Sequence, residues 1–203
     1  MPRTGILALV VALLAATPVR ADDRTDCSSN NADLVIRSCT SYLNGSGLSS
    51  SDKAFGFAGR CWGYNEKAQY DDAIRDCSEA IRLDANLLKA WQSRCYAYGR
   101  KGDHDQAIID CAQAIRIDPR SVWTYNERGW HFQAKGEHRT AIAHFNRAIT
   151  LDARSAIAFR YRGYSLEMLG KTSDAIADYK KSLEIEPNDQ WTKDAYKRLG
   201  GTP

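Results

Sequence analysis

Ala73, Ala107, Ala141 and Ala175 stand 34 residues apart, and the segments around them superimpose without a gap. Each alanine is followed by isoleucine (Ile74, Ile108, Ile142, Ile176), and four residues after each alanine comes Cys77, Cys111, Phe145 or Tyr179. Upstream, Phe57, Trp91, Tyr125 and Phe159 keep the same step. So do Arg60, Arg94, Arg128 and Arg162, each followed by a small residue: Cys61, Cys95, Gly129 or Gly163. Downstream, Leu83, Ile117, Leu151 and Ile185 each precede an acid. A unit of this length is one supersecondary element that cannot bury its apolar face alone, so the chain must build a stacked array.

Within each unit about 14 residues run at helical spacing, a turn such as Lys101-Gly102-Asp103 follows, and about 14 more continue. Small residues at Gly129 and Ala141 let two helices approach closely, and Tyr125 and Phe145 fill the space beside them. An aromatic, a small residue, then alanine and another aromatic at this period resembles the tetratricopeptide repeat, over about residues 54–189. The resemblance implies an all-α, right-handed solenoid of four helix-turn-helix repeats, 54–87, 88–121, 122–155 and 156–189. Residues 190–203 read as a capping helix and tail, with Trp191, Ala195 and Leu199 on one face and Gly200-Gly201 ending it. Residues 22–53 read as an extension: a worn second helix over Asp33–Leu43, then a Gly/Ser linker from Asn44 to Ser51.

Residues 1–21 read as a secretory signal cut after Ala21. Arg3 leads an apolar run from Ile6 to Ala16, and Val19 and Ala21 are small at the cleavage-determining positions. The run falls short of the roughly 20 residues that span a bilayer, which disfavours an uncleaved anchor. The mature chain is expected to lie in the periplasm or outside the cell, without a membrane span. A net charge of +3 with 26% charged residues argues against a nucleic-acid partner. Hydrophobic content of 43% argues against disorder.

The six cysteines suit an exported, oxidised chain. The first two repeats carry cysteine at both the small position and the later aromatic position; the last two carry Gly129 with Phe145 and Gly163 with Tyr179. In an antiparallel hairpin these positions face each other, which predicts Cys61–Cys77 and Cys95–Cys111 and leaves Cys27–Cys39. The alternative is six small buried thiols in a reduced chain. No C-x-x-C occurs, and the cysteines are spread over separate hairpins, so no metal site or cofactor is expected.

No nucleophile elbow, H-E-x-x-H or phosphate loop occurs, so an enzyme is not expected. His104 and His138 stand at the turn position of Tyr70, and His144 stands where other repeats have Asp76, Asp110 and Asp178; His131 follows Trp130 on a first helix. The recurrent arginines are expected to pair with acids such as Asp76 or Asp110. In the family the first helices line a concave groove. The groove position after the small residue is Trp62, Tyr96, Trp130 and Tyr164, an aromatic ladder. Flanking it in the first two repeats are Phe55, Ala58, Asn65, Glu66, Lys89, Gln92, Gly99 and Arg100. In the last two they are Trp123, Asn126, Gln133, Ala134, Ile157, Arg160, Glu167 and Met168. Aromatics replace the Asn of the family's carboxylate-gripping branch, so the groove suits apolar side chains, a Pro-rich segment or a flat sugar face. The expected function is a protein–protein adaptor or scaffold; the alternatives are a self-associating envelope module and a ladder that merely stiffens the array.

Overall fold

The computed structural model describes residues 21–201, and the expected leader, apart from its last residue Ala21, lies outside the described residues. Eleven helices make up the described chain, which has no strand: α1 (Ala21–Asp26), α2 (Ala32–Leu43), α3 (Ser50–Glu66), α4 (Tyr70–Leu83), α5 (Leu88–Arg100), α6 (His104–Ile117), α7 (Val122–Ala134), α8 (His138–Leu151), α9 (Ala156–Met168), α10 (Thr172–Ile185) and α11 (Gln190–Arg198). Hairpins α3–α4, α5–α6, α7–α8 and α9–α10 are the four repeats. Polar side chains satisfy the free amides at several helix starts: Asn31 caps α2, Ser49 caps α3, Asp103 caps α6 and Ser121 caps α7. Capped by Ser49, α3 starts at Ser50, four residues ahead of the repeat boundary at 54, so the linker is shorter than its composition suggests. Three turns cross the left-handed region on Gly102, Gly136 and Gly170; the first uses Ala68, at φ 57°.

Each hairpin closes on an alanine with no exposed surface: Ala73, Ala107, Ala141 and Ala175. Opposite the small position the volume is filled in two ways. In the last two repeats a ring does it, and a Cβ added to Gly129 would come 2.5 Å from the Phe145 ring. In the first two, a disulfide does: Cys61–Cys77 and Cys95–Cys111, with Cα atoms 5.4 and 5.5 Å apart. Gly with an aromatic and Cys with Cys are two fillings of one interhelical gap. A third disulfide, Cys27–Cys39, ties the segment after α1 to α2, and Val35 packs beside it.

First helices of successive repeats touch: α3 on α5, α5 on α7 and α7 on α9. An array whose first helices crowd together curves with them on the inside. Among the described residues no helix is long and apolar enough to cross a membrane.

Candidate functional site

On the inner face the ladder residues Trp62, Tyr96, Trp130 and Tyr164 are all half-buried. Three of the four lean on something from a neighbouring unit, and Tyr96 leans on Arg100 of its own helix. Trp62 packs on the Cys27–Val35–Cys39 cluster. Arg100, whose guanidinium lies 5.9 Å from the Tyr96 ring, donates to the Tyr70 hydroxyl at 3.3 Å. Trp130 meets His104 edge-on at 5.5 Å, and Tyr164 meets His138 at 6.1 Å. The ladder therefore supports the array and borders the groove at once.

A second rail is more open. Trp123 is 42% exposed, Ile157 38% and Trp191 47%. Trp191 belongs to this rail and not to the buried face of the capping helix, where Thr192 and Ala195 sit instead. Its ring lies 6.0 Å from Tyr164 and 5.9 Å from Tyr179. The signal was the period itself: Trp191 is 34 residues after Ile157 and 68 after Trp123.

Ladder and rail enclose two recesses. One, of about 360 Å³, is lined by Trp62, Asn65, Glu66, Lys89, Gln92, Ser93, Tyr96 and Trp123. The other, of about 370 Å³, is lined by Trp130, Gln133, Arg160, Tyr161, Tyr164 and Trp191. Each has aromatic walls and a polar rim that includes a glutamine and a cation.

Several flanking residues serve the array itself. Asn65 and Asn126 are buried; Asn65 donates to the Ser93 carbonyl at 2.9 Å and Asn126 to Ser155 Oγ at 3.4 Å. Gln92 reaches Thr124 Oγ1 at 2.8 Å, and Gln133 reaches the Tyr161 carbonyl at 2.7 Å. Arg160 holds Asp189 at 2.8 Å, fixing the capping helix. These bonds run from one first helix to the next helix of the inner row or to the residue that starts it, so their amides and guanidinium carry the stacking geometry before any contact with a partner. Ala58 is core, and Phe55 is covered by α2 and α1, against Tyr42 and under Arg24. Glu167 accepts from Tyr179 Oη and Arg198, each at 2.7 Å. Glu66, Lys89, Arg100, Ala134 and Met168 remain on the surface.

Three arginine clamps recur. Arg60, Arg94 and Arg162 each donate through Nε and Nη2 to both oxygens of Asp76, Asp110 and Asp178, at 2.6–3.0 Å. The third repeat breaks the series, since His144 replaces the acid. Arg128 Nε is buried without a partner among the described residues, and burial lowers its pKa. His144 stacks flat on Phe132 at 5.2 Å, and burial, with Arg128 beside it, pushes it down to about 4. Near the groove, burial lifts Glu127 to about 7, opposed by Arg100.

His131 is the residue that position in the chain did not flag. It is fully buried, in the space left by Gly99, where an added Cβ would overlap the imidazole. Burial, with His104 alongside, lowers it to about 4.

The tetratricopeptide repeat family profile matches residues 88–121 and 126–190. The chain belongs to the tetratricopeptide repeat family. No curated protein sequence matches it. Among solved tetratricopeptide structures, MamA superimposes with a TM-score of 0.70 at 22% identity, over 81% of this chain and 91% of that one. YrrB, described as a TPR protein with an unusual peptide-binding site, gives 0.71 at 18% identity, over 81% and 84%. The first TPR of Spaghetti (RPAP3), bound to the HSP90 peptide SRMEEVD, gives 0.55 at 22% identity, over 57% and 92%. At these identities the likeness establishes the fold.

Proposed function

We propose that this tetratricopeptide protein is a non-catalytic adaptor that holds an extended protein segment in its groove by two apolar anchors. The observation that carries the reading is the pair of recesses, alike in volume and in aromatic walls, two repeats apart on one face. Packed helices lie roughly 10 Å apart, which puts the recesses about 20 Å from each other. An extended chain covers that distance in about six residues. The matching partner therefore carries two aromatic, aliphatic or proline side chains about six positions apart, its backbone facing Gln92 and Gln133. Large, half-buried rings of this kind dominate interface energetics. Peptide binding by YrrB and by the RPAP3 repeat supports the reading by analogy of fold. The apolar leader and the three disulfides support a location outside the cytoplasm, in the periplasm or beyond.

The test is a crosslinking capture from the native compartment, comparing wild type with a Trp123→Ala, Trp191→Ala variant of matched thermal stability. The reading expects a partner segment held by the wild type and lost by the variant, with tryptophan fluorescence shifting when the isolated segment is added. Capture of the same partner by both proteins moves the contact off this face. If only further copies of the chain are captured, self-association through the exposed rail replaces the adaptor.

A further inference from the structure

The second disulfide differs from the first in what lies across the repeat boundary. The residue 36 positions beyond Cys61 is Ala97; beyond Cys95 it is His131; beyond Gly129 it is Ser165. Only the Cys95–Cys111 hairpin therefore meets an imidazole from the next repeat. His131 Nε2 lies 3.6 Å from Cys95 Sγ. Both sulfurs and a ring nitrogen of His131 lie within 4.8 Å of one another, and all three residues are fully buried.

The other ring nitrogen has its own partner. His131 Nδ1 is 3.3 Å from His104 Nδ1, and His104 reaches the groove beside Trp130. If Nδ1 donates there, Nε2 carries a bare lone pair aimed at the sulfurs. A disulfide sulfur has no proton to offer it, so this buried acceptor gains little from its neighbour. A histidine held through one nitrogen so that the other faces two cysteines is the usual arrangement of a metal ligand.

We propose that Cys95, Cys111 and His131 form a redox-gated site for zinc, closed while the disulfide is intact and open once it is reduced. A dithiol reductant delivers two electrons and two protons to the Cys95–Cys111 bond and leaves as its own disulfide. The S–S bond breaks and two thiols form. Zinc then displaces both thiol protons to solvent and takes two thiolates and neutral Nε2. The donor set is two sulfurs and one imidazole nitrogen. Zinc–sulfur bonds of about 2.3 Å and zinc–nitrogen bonds of about 2.0 Å put tetrahedral donors about 3.4–3.8 Å apart. The present cluster reaches that spacing once the two sulfurs part, with no helix moved to another position. His104 is a positioning residue, fixing the tautomer of His131 without touching the metal. Cys61–Cys77, with the same hairpin geometry facing Ala97, is the internal control.

The test uses the full chain, reduced with a phosphine, which takes up the same two oxidising equivalents and does not chelate zinc, and titrated with cobalt(II). Reduced wild type is expected to bind one equivalent, with a thiolate-to-cobalt charge-transfer band and tetrahedral ligand-field bands. Oxidised protein is expected to show neither. His104→Ala weakens cobalt about 10–100-fold, and His131→Ala, which removes a ligand, weakens it further. A Cys61→Ser, Cys77→Ser variant keeps the spectrum. The proposal is overturned if reduced His131→Ala binds cobalt as wild type does, if the bands vanish with the Cys61–Cys77 pair, or if folded, reduced wild type takes up no cobalt. Should reduction unfold the chain, the readout becomes recovery of helical circular dichroism on adding zinc but not magnesium. Recovery in wild type and not in His131→Ala supports the site, and no recovery in wild type overturns it.

Discussion

The clamp missing from the third repeat can be restored with one substitution, His144→Asp. In the other repeats an aspartate at this position accepts two bonds from the arginine 16 residues before it, as Arg94 makes with Asp110 at 2.7 and 2.9 Å. Arg128 keeps the cation without the anion, and its Nε is buried with no partner among the described residues. Leaving a buried donor unsatisfied costs about 1–3 kcal/mol, and a charge-assisted bond contributes about 1.5–3. Against that stands the loss of the His144–Phe132 stack, about 0.5–1.5 kcal/mol. Burial also holds Asp110 above its ordinary carboxylate value despite Arg94, so part of the gain returns as desolvation. The expected balance is a stabilisation of about 1–2 kcal/mol, or a rise in Tm of roughly 3–6 °C for a chain of this size. Thermal and urea unfolding at pH 7, followed by circular dichroism, measure it. An Arg128→Met background supplies the control, since there the new carboxylate has no cation to meet and is expected to destabilise. A His144→Asp protein of unchanged helicity that is no more stable than wild type, or equal effects in the two backgrounds, would refute the reasoning.

The first turn holds Ala68 at φ 57°, where the other repeats use glycine. Ala68→Gly is expected to relieve about 1 kcal/mol of backbone strain and raise the midpoint of thermal unfolding. Gly99→Ala drives a methyl into the His131 ring and is expected to cost about 1–3 kcal/mol; adding His131→Ala should recover most of it, and a double-mutant cycle by urea unfolding reads the coupling. Stability should also depend on pH in two opposed windows. Glu127 stays protonated in the folded chain up to about 7 against 4.5 unfolded, so its contribution is full below pH 4.5 and lost as pH rises through 7. His131 and His144 stay neutral when folded down to about 4 against 6.5 unfolded, so theirs is full above pH 6.5 and lost as pH falls toward 4. Glu127→Gln should stabilise at pH 8 by on the order of 2 kcal/mol, allowing for partial access of water, and leave the acid limb unchanged; urea midpoints at pH 5 and 8 check both.

The number of hairpins, their order and their all-helical character follow from the 34-residue period, because a repeated pattern of small and large residues permits one way of pairing helices. The same register tells which side chains of a hairpin face each other, as Cys61 faces Cys77 and Arg60 faces Asp76. It also puts Trp62, Tyr96, Trp130 and Tyr164 on one side of the first helices. What lies between repeats was another matter. Asn65 and Asn126 look like groove donors by position, yet stacking turns them into struts to Ser93 and Ser155. Trp191 reads as the buried face of a capping helix, but α11 takes the place of a fifth first helix and sets the ring beside Tyr164. His131 has no chain neighbour to mark it, and meets Cys95 only because repeat three packs on repeat two. Periodicity fixes a residue's place within its unit, where the backbone pairing is local. The meeting of side chains across a unit boundary depends on the angle and rise of stacking, and those emerge only when all the volumes are packed together.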